Sequence, residues 1–368
     1  MALTSTYQPA AERRDQLVER IFNATVEAFD LASIYLGDRL GYYQALADLG
    51  WATATELALY VGADERYTQE WLEHQAVSGI LNVADTGAAD TRRYTLPPGH
   101  DEALLSRDSL AYMAPFARQV AGVFSVLPAL LEVYRHGGGV PYADFGPDLR
   151  EGIAHGNRVM FLNQLASEWI PAMPDIAARL MDETRPARVA DVGCGTGWSS
   201  IALAKGFPAI HVDGIDIDAA SIADATANAA LEGLSDRVTF HHGDAGHPDF
   251  AGKYDLACAF ECIHDMANPV AALTAMRELV GPGGTVLVAD ERVADTFTAP
   301  GDAVERFMYG YSVLHCLTVG MAEGEHSAGT GTVIRTDTMR AYVEDAGYQD
   351  MEVLPIEHDF WRFYRLTA

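Results

Sequence analysis

Apolar residues return along this chain at two different rhythms. Over residues 13–36, Leu17, Ile21, Phe22, Val26, Phe29 and Tyr35 recur near a helical period, which predicts a long amphipathic helix. Helical patterns continue to about residue 180. From about residue 187, short apolar runs alternate with helical segments, the rhythm of βαβ units on a parallel sheet. The chain therefore reads as three regions: a helical and winged-helix part over 1–105, a helical connector and pocket lid over 106–180, and an α/β domain over 181–368. There is no internal repeat, and Gly137, Gly138 and Gly139 read as a loop.

Within the first region, two short helical patterns break at Gly62 and are followed by β-like runs at 80–83 and 94–96. This is the order of a helix-turn-helix with a wing. Its second helix, residues 64–77, carries Asp64, Glu65, Glu70 and Glu73 against the single cation Arg66. Such a face repels phosphate, so the winged helix is expected to serve dimerisation and to roof a pocket, not to read DNA. Tyr112, Met113, Phe116, Phe124, Met160, Phe161 and Trp169 read mainly as core, with Met160 also a candidate to line a substrate pocket. Residues 140–152, VPYADFGPDLREG, are expected to form a long polar loop over that pocket's mouth.

Charge narrows the partners. The 368 residues hold 25 basic and 52 acidic side chains, a net charge of −27, and Lys205 and Lys253 are the only lysines. That balance argues against nucleic acid and against an anionic membrane surface. No stretch approaches the roughly 18 uninterrupted apolar residues of a membrane span, and the first residues lack the layout of a secretion signal, so a soluble cytoplasmic protein is expected. The four cysteines, Cys194, Cys258, Cys262 and Cys316, contain no CxxC pair. Cys258 and Cys262 with His264 invite a zinc reading, but a four-residue spacing across an apparent buried strand does not converge two thiolates. No metal is expected, and the thiols read as reduced and packed.

The strongest local signal is the segment ARVADVGCGTGWSSIALAKGF. An apolar strand over 189–192 runs into Gly193-Cys194-Gly195-Thr196-Gly197 and a helix follows, a turn in which glycines let the backbone bend sharply and approach a ligand. A dinucleotide fingerprint would need its third glycine at 198, where Trp198 stands, so a pyrophosphate cradle and a nicotinamide enzyme are disfavoured and a nucleoside site fits better. A second strand ends at Asp216, about twenty residues on, where a carboxylate suits ribose hydroxyls. A third ends at Asp244, suited to an exocyclic adenine amine. A fourth is apolar through Phe260, and a fifth is TVLVADERV. Each loop falls at a carboxyl-terminal strand edge, where open α/β sheets bind ligands.

Together DVGCGTG, GIDID, GDA, LVGPGGTVLVAD and AYVEDAGYQDMEVL resemble a class I S-adenosylmethionine-dependent methyltransferase. With its helical and winged-helix first half, the chain is similar to the O-methyltransferase family that includes caffeic acid O-methyltransferase and many bacterial natural-product enzymes. The resemblance implies a Rossmann-like seven-stranded methyltransferase domain whose antiparallel last strand is HDFWRFYRLTA. It implies S-adenosylmethionine held by Asp191, Gly193, Cys194, Gly195, Gly197, Asp216, Ile217, Asp244, Ala245 and Phe260. It also implies a homodimer through the N-terminal helices.

For the chemistry, a hydroxyl acceptor has to lose a proton, and histidine suits that at neutral pH. The family carries a His-Asp after the fourth strand, which here is His264-Asp265. The resemblance makes His264 the general base, with Asp265 a neighbour and Asp290, or else Glu291, its carboxylate partner. Residues 303–321, with Tyr311 and His315, correspond to the acceptor-pocket helix. Relatives have one more glutamate where this chain has Ile334, so one acidic orienter is missing. Two other readings stay open: methylation at nitrogen or carbon (or a non-methylating relative), and a ligand-responsive regulator built on the winged helix.

Overall fold

The computed structural model describes residues 9–84, 87–246, 250–324 and 326–368. It separates into two compact units, Met1–Ala121 and Gly122–Ala368, the division falling inside the helix Ala114–Ser125.

In the first unit the periodic stretch forms one helix, Ala10–Arg39, longer than the expected segment. The helix-turn-helix follows as Ala54–Val61 and Glu65–Val77. A reciprocal Thr53–Glu56 capping box starts the first. Asp64 lies just outside the second and accepts the Arg66 and Tyr67 amides at 2.9 and 3.1 Å, so one of the four acids expected on that face is a cap. The wing is the two-residue pair β1 (Asn82–Val83) and β2 (Tyr94–Thr95), antiparallel and shorter than the apolar runs suggest. Trp71 anchors this unit, its ring 4.6 Å from Tyr42 and 5.3 Å from Tyr43.

The second unit is built on seven strands: β3 (Arg188–Val192), β4 (His211–Asp216), β5 (Val238–His242), β6 (Leu256–Phe260), β7 (Thr285–Glu291), β8 (Asp350–Val353) and β9 (Trp361–Thr367). Their order is β5-β4-β3-β6-β7-β9-β8, with β9 antiparallel to both neighbours. The expected last strand therefore lies between β7 and β8. β3, β6 and β7 are buried along almost their whole length because helices cover both faces of the sheet. The chain steps outward from β3 through β4 to β5, then returns to β6 on β3's other side. The crevice at that reversal is where such sheets bind ligands.

Residues 140–152 differ from expectation. They form a short turn, Tyr142–Phe145, and then the start of the helix Gly146–Met160. Pro147 supplies the preset φ of a first helical turn, and Leu149, Ile153 and Gly156 then recur at helical spacing. That helix runs on as a wider-turned segment, Phe161–Trp169. Trp169 is the centre of an aromatic layer, 4.9 Å from Phe363, 5.3 Å from Trp361 and 6.1 Å from Phe161. Among the described residues no single helix is long and apolar enough to cross a membrane.

The Trp169 indole N–H is buried without a partner. Trp169→Ala should therefore cost about 3–5 kcal/mol through the cavity it leaves, whereas Trp169→Phe should cost far less, because the orphaned donor leaves with the indole. Urea denaturation of both variants tests this; equal losses would contradict it.

Candidate active site

The glycine loop leaves β3 with three left-handed residues, Gly193, Gly195 and Gly197. At Gly197 (φ +82°) a Cβ would sit 2.5 Å from the Phe240 ring, so this glycine is needed for close packing as well as for its backbone angle. At Gly195 (φ +51°) a Cβ would meet nothing within 4 Å: the loop presents bare backbone to open space there. Asp216, at the end of β4, fastens this loop. One of its carboxylate oxygens accepts the Gly195 amide at 2.8 Å and the other the Asp218 amide at 2.8 Å. Burial raises the Asp216 carboxyl above its ordinary range, and the amides oppose that. Asp191 lies beneath the loop, accepting the Ser199 and Ser200 hydroxyls at 2.6 Å each, and burial pushes it up to about 6 against those bonds.

The second group forms where β6 and β7 end. A short turn, Ile263–Asp265, carries His264 to the end of β7, where its Nδ1 lies 2.6 Å from an Asp290 oxygen and its backbone amide donates to the other at 3.2 Å. Both side chains are buried. Burial alone disfavours imidazolium, but the Asp290 carboxylate outweighs it and holds His264's ionisation well above the usual histidine range. An Asp290 oxygen on Nδ1 sets the tautomer with Nε2 as the exchangeable position. Asp265 is pushed up to about 7 by burial, with His264 opposing and Asp290, Glu261 and Asp216 adding to it.

His315 and Cys316 come from a wider helical turn, Ser312–Cys316, of the kind that recurs at functional sites. His315 is buried, its ring 4.7 Å from Phe145 and 5.8 Å from Tyr142, and its Nε2 has no partner. Burial, then the neighbouring His264, lowers it to about 3, so it is a neutral imidazole. The Cys316 thiol lies 3.3 Å from His315 Nδ1.

The structure brings together His264, Asp265, Asp290, Glu291 and His315, and Tyr311 is close enough to feel the Glu261 and Glu291 charges. Gly193, Cys194, Gly195, Gly197, Asp191 and Asp216 form the loop site. Ile217 and Asp244 stand exposed at the tips of β4 and β5, Asp244 accepting the Gly246 amide at 2.8 Å, with Ala245 buried beside it. Phe260 faces the aromatic layer, 5.4 Å from Phe161, and Met160 packs against the same layer. Cys258 is buried inside β6, while Cys262 points at the Gly193 backbone, so the two thiols do not converge. Ile334 is fully buried, and its neighbour Arg335 pairs with Glu305 at 2.7 Å.

Sequence reasoning missed Glu261. It directly follows β6, holds φ +55° (the one non-glycine residue with positive φ among those described), and accepts a hydrogen bond from Asn157. A left-handed glutamate is a strained choice of the kind that clusters at functional sites. The readable signal was an acid interrupting the apolar run CAFECI.

Residues 184–325 match the model of a methyltransferase domain, and residues 31–107 that of an Rv2258c-like winged HTH domain. Ajmaline N-methyltransferase of Rauvolfia serpentina is 31% identical over 109 residues, 29% of this chain and 36% of that protein. The chain spans between 5% and 36% of the length of three curated relatives that it matches. Among solved structures, mitomycin 7-O-methyltransferase is similar at a TM-score of 0.69 with 19% identity, covering 98% of this chain and 100% of that one. Human N-acetylserotonin methyltransferase in complex with SAM is similar at 0.62 with 17% identity, covering 99% of each. At such identities the two structures speak for the fold.

Asp191 binds its proton more tightly in the folded chain than in the unfolded one, so its contribution to stability is present in acid and is lost as pH rises from about 4 to about 6. The loss should be on the order of 2–3 kcal/mol relative to Asp191→Asn, which lacks the titrating group. Denaturant titrations of both proteins across that window measure it; parallel stability curves would count against it.

Proposed function

We propose that this chain, which carries a methyltransferase domain behind a winged helix-turn-helix domain, moves the methyl group of S-adenosylmethionine onto an oxygen of a small molecule. His264, held by Asp290, takes the acceptor's proton. The observation that carries the reading is the junction of two features at one sheet edge. The glycine loop gripped by Asp216 and the imidazole–carboxylate pair meet where Cys262, two residues before His264, packs its Sγ against Gly193.

The loop fits a nucleoside cofactor. Gly195 offers backbone with free space where a side chain would be, and each Asp216 oxygen accepts one of the two loop amides, leaving lone pairs for hydroxyl donors. Gly193, Gly195, Asp216, Ile217, Asp244 and Ala245 would hold it. When bound, S-adenosylmethionine supplies a methyl on a sulfonium that leaves readily, so the protein's share is alignment, exclusion of water and proton transfer.

His264 does the last of these through Nε2, because Asp290 occupies Nδ1 and favours the imidazolium once it forms. Tyr142, Phe145 and the neutral His315 supply an apolar, aromatic wall that suits a planar acceptor. On the helix Ala10–Arg39, Leu17, Ile21, Phe22 and Phe29 are each more than half exposed. We assign this stripe to a homodimer contact between two copies of the chain.

Calorimetry should detect S-adenosylmethionine binding to the wild type and none to Asp216→Ala. His264→Ala should bind it normally yet turn over about 10²–10⁴-fold more slowly. Activity should rise with pH through a midpoint above the ordinary histidine value, since the imidazole has to lose its proton before it can act. Full turnover by His264→Ala would remove the base. For the dimer, sedimentation of Phe22→Asp combined with Phe29→Asp should give a monomer, and an unchanged sedimentation coefficient would exclude that stripe.

A further inference from the structure

At the end of β7 two acids follow one another, Asp290 and Glu291, and both are buried, the second only 3% exposed. Neighbours on a strand ordinarily point to opposite faces. Here they converge: one ligand atom from each of His264, Asp290 and Glu291 lies within 4.8 Å of the other two. Asp290 is held firmly. Its Oδ1 accepts from His264 Nδ1 at 2.6 Å and from the Glu291 amide at 2.9 Å, and its Oδ2 accepts from the His264 amide at 3.2 Å. Glu291 is not: its Oε2 is buried and has no hydrogen-bond partner. A buried carboxyl oxygen without a donor is costly unless something else answers it.

We propose that His264, Asp290 and Glu291 form a binding site for a divalent first-row transition ion, with zinc(II) as its model, and that the bound ion switches off the base. The second half rests on the proposed role of His264; the site itself does not. This is a different set from the zinc reading of the sequence. The thiols of Cys258 and Cys262 do not converge, and two carboxyls join the imidazole in their place. Spacing alone does not reveal the set, because a whole strand–helix unit separates His264 from Asp290 and only strand pairing brings them together.

One imidazole nitrogen with two carboxylate oxygens suits such an ion better than magnesium, which wants six oxygen ligands and keeps several waters. Three protein ligands leave a fourth position for water. Metal–nitrogen and metal–oxygen bonds form, nothing is oxidised or reduced, and any proton on the two carboxyls leaves to solvent. Either nitrogen of His264 silences the base. At Nε2 the ion occupies the lone pair that would take the acceptor's proton. At Nδ1 it breaks the hydrogen bond to Asp290, and the one proton of the neutral ring moves to Nε2. No basic nitrogen is left in either case. Glu291, whose Oε2 is without a partner in the metal-free chain, finds one in the ion.

The test of the site needs no acceptor. The full chain is stripped with EDTA and titrated with zinc(II) by calorimetry, with magnesium in excess to occupy exposed acids. It should take up one zinc ion tightly, and cobalt(II) in place of zinc should give the visible absorption of a four-coordinate ion. Glu291→Gln keeps the side-chain shape but removes the charge, and should weaken zinc about 100-fold or more, as should His264→Asn. Thermal unfolding of the metal-free variants checks that they fold; if Glu291→Gln does not, Glu291→Asp, whose shorter side chain withdraws the ligand, replaces it. In turnover, zinc should suppress the wild-type rate, EDTA should restore it, and magnesium alone should leave it unchanged. No uptake by the stripped wild type, or uptake that survives both substitutions, overturns the site whatever the activity. Uptake with no loss of turnover overturns the switch. Uptake that both substitutions abolish, in a protein that methylates nothing, would instead uphold the site and defeat the methyl-transfer reading.

Discussion

A carboxylate taken out of water has to be answered by a donor, a cation or a proton, and the carboxyl-terminal edge of this sheet is organised around that demand. Three solutions appear within one crevice. Asp191 is answered by two serine hydroxyls, Asp216 by two backbone amides, and Asp290 by an imidazole. Each answer also fixes geometry. The serines anchor the first turn of the helix Trp198–Gly206, the amides shape the glycine loop, and the imidazole is held in one tautomer.

The net charge of −27 takes on a different meaning beside this crevice. Across the surface it is solvated and serves solubility. Within the crevice, serine hydroxyls, backbone amides and the His264 imidazole answer the acids, in place of the lysines and arginines that this chain uses elsewhere. Arg335, for instance, pairs with Glu305, next to the buried Ile334.

Much of the fold could be read directly from sequence because apolar runs bounded by glycine or acid report on buried parallel strands. β3, β4, β6 and β7 lie where the runs predict, with Asp216 and Asp290 at or next to strand ends and His264 in the turn after β6, because residues at the end of such strands face the ligand edge. What escaped depends on facts that periodicity does not encode. The segment 140–152 looks polar because its helix is half-buried, and its composition imitates a loop. The position of β9 between β7 and β8 follows from pairing, which a one-dimensional pattern does not carry. Glu261 was hidden by backbone angle: nothing in its neighbours announces φ +55°, and an acid after an apolar strand reads as a solvated end.

The inserted strand has a consequence for the order of assembly. β8 is made before β9 yet pairs only with β9, so as the nascent polypeptide emerges β8 has no strand to join, and β7 keeps an open flank. Five strands can align early, but the sheet closes only after Trp361–Thr367 has left the ribosome and slid into the waiting slot. Until then the β7 flank is an unsealed template for intermolecular pairing, which ties the yield of native protein to the synthesis of β9.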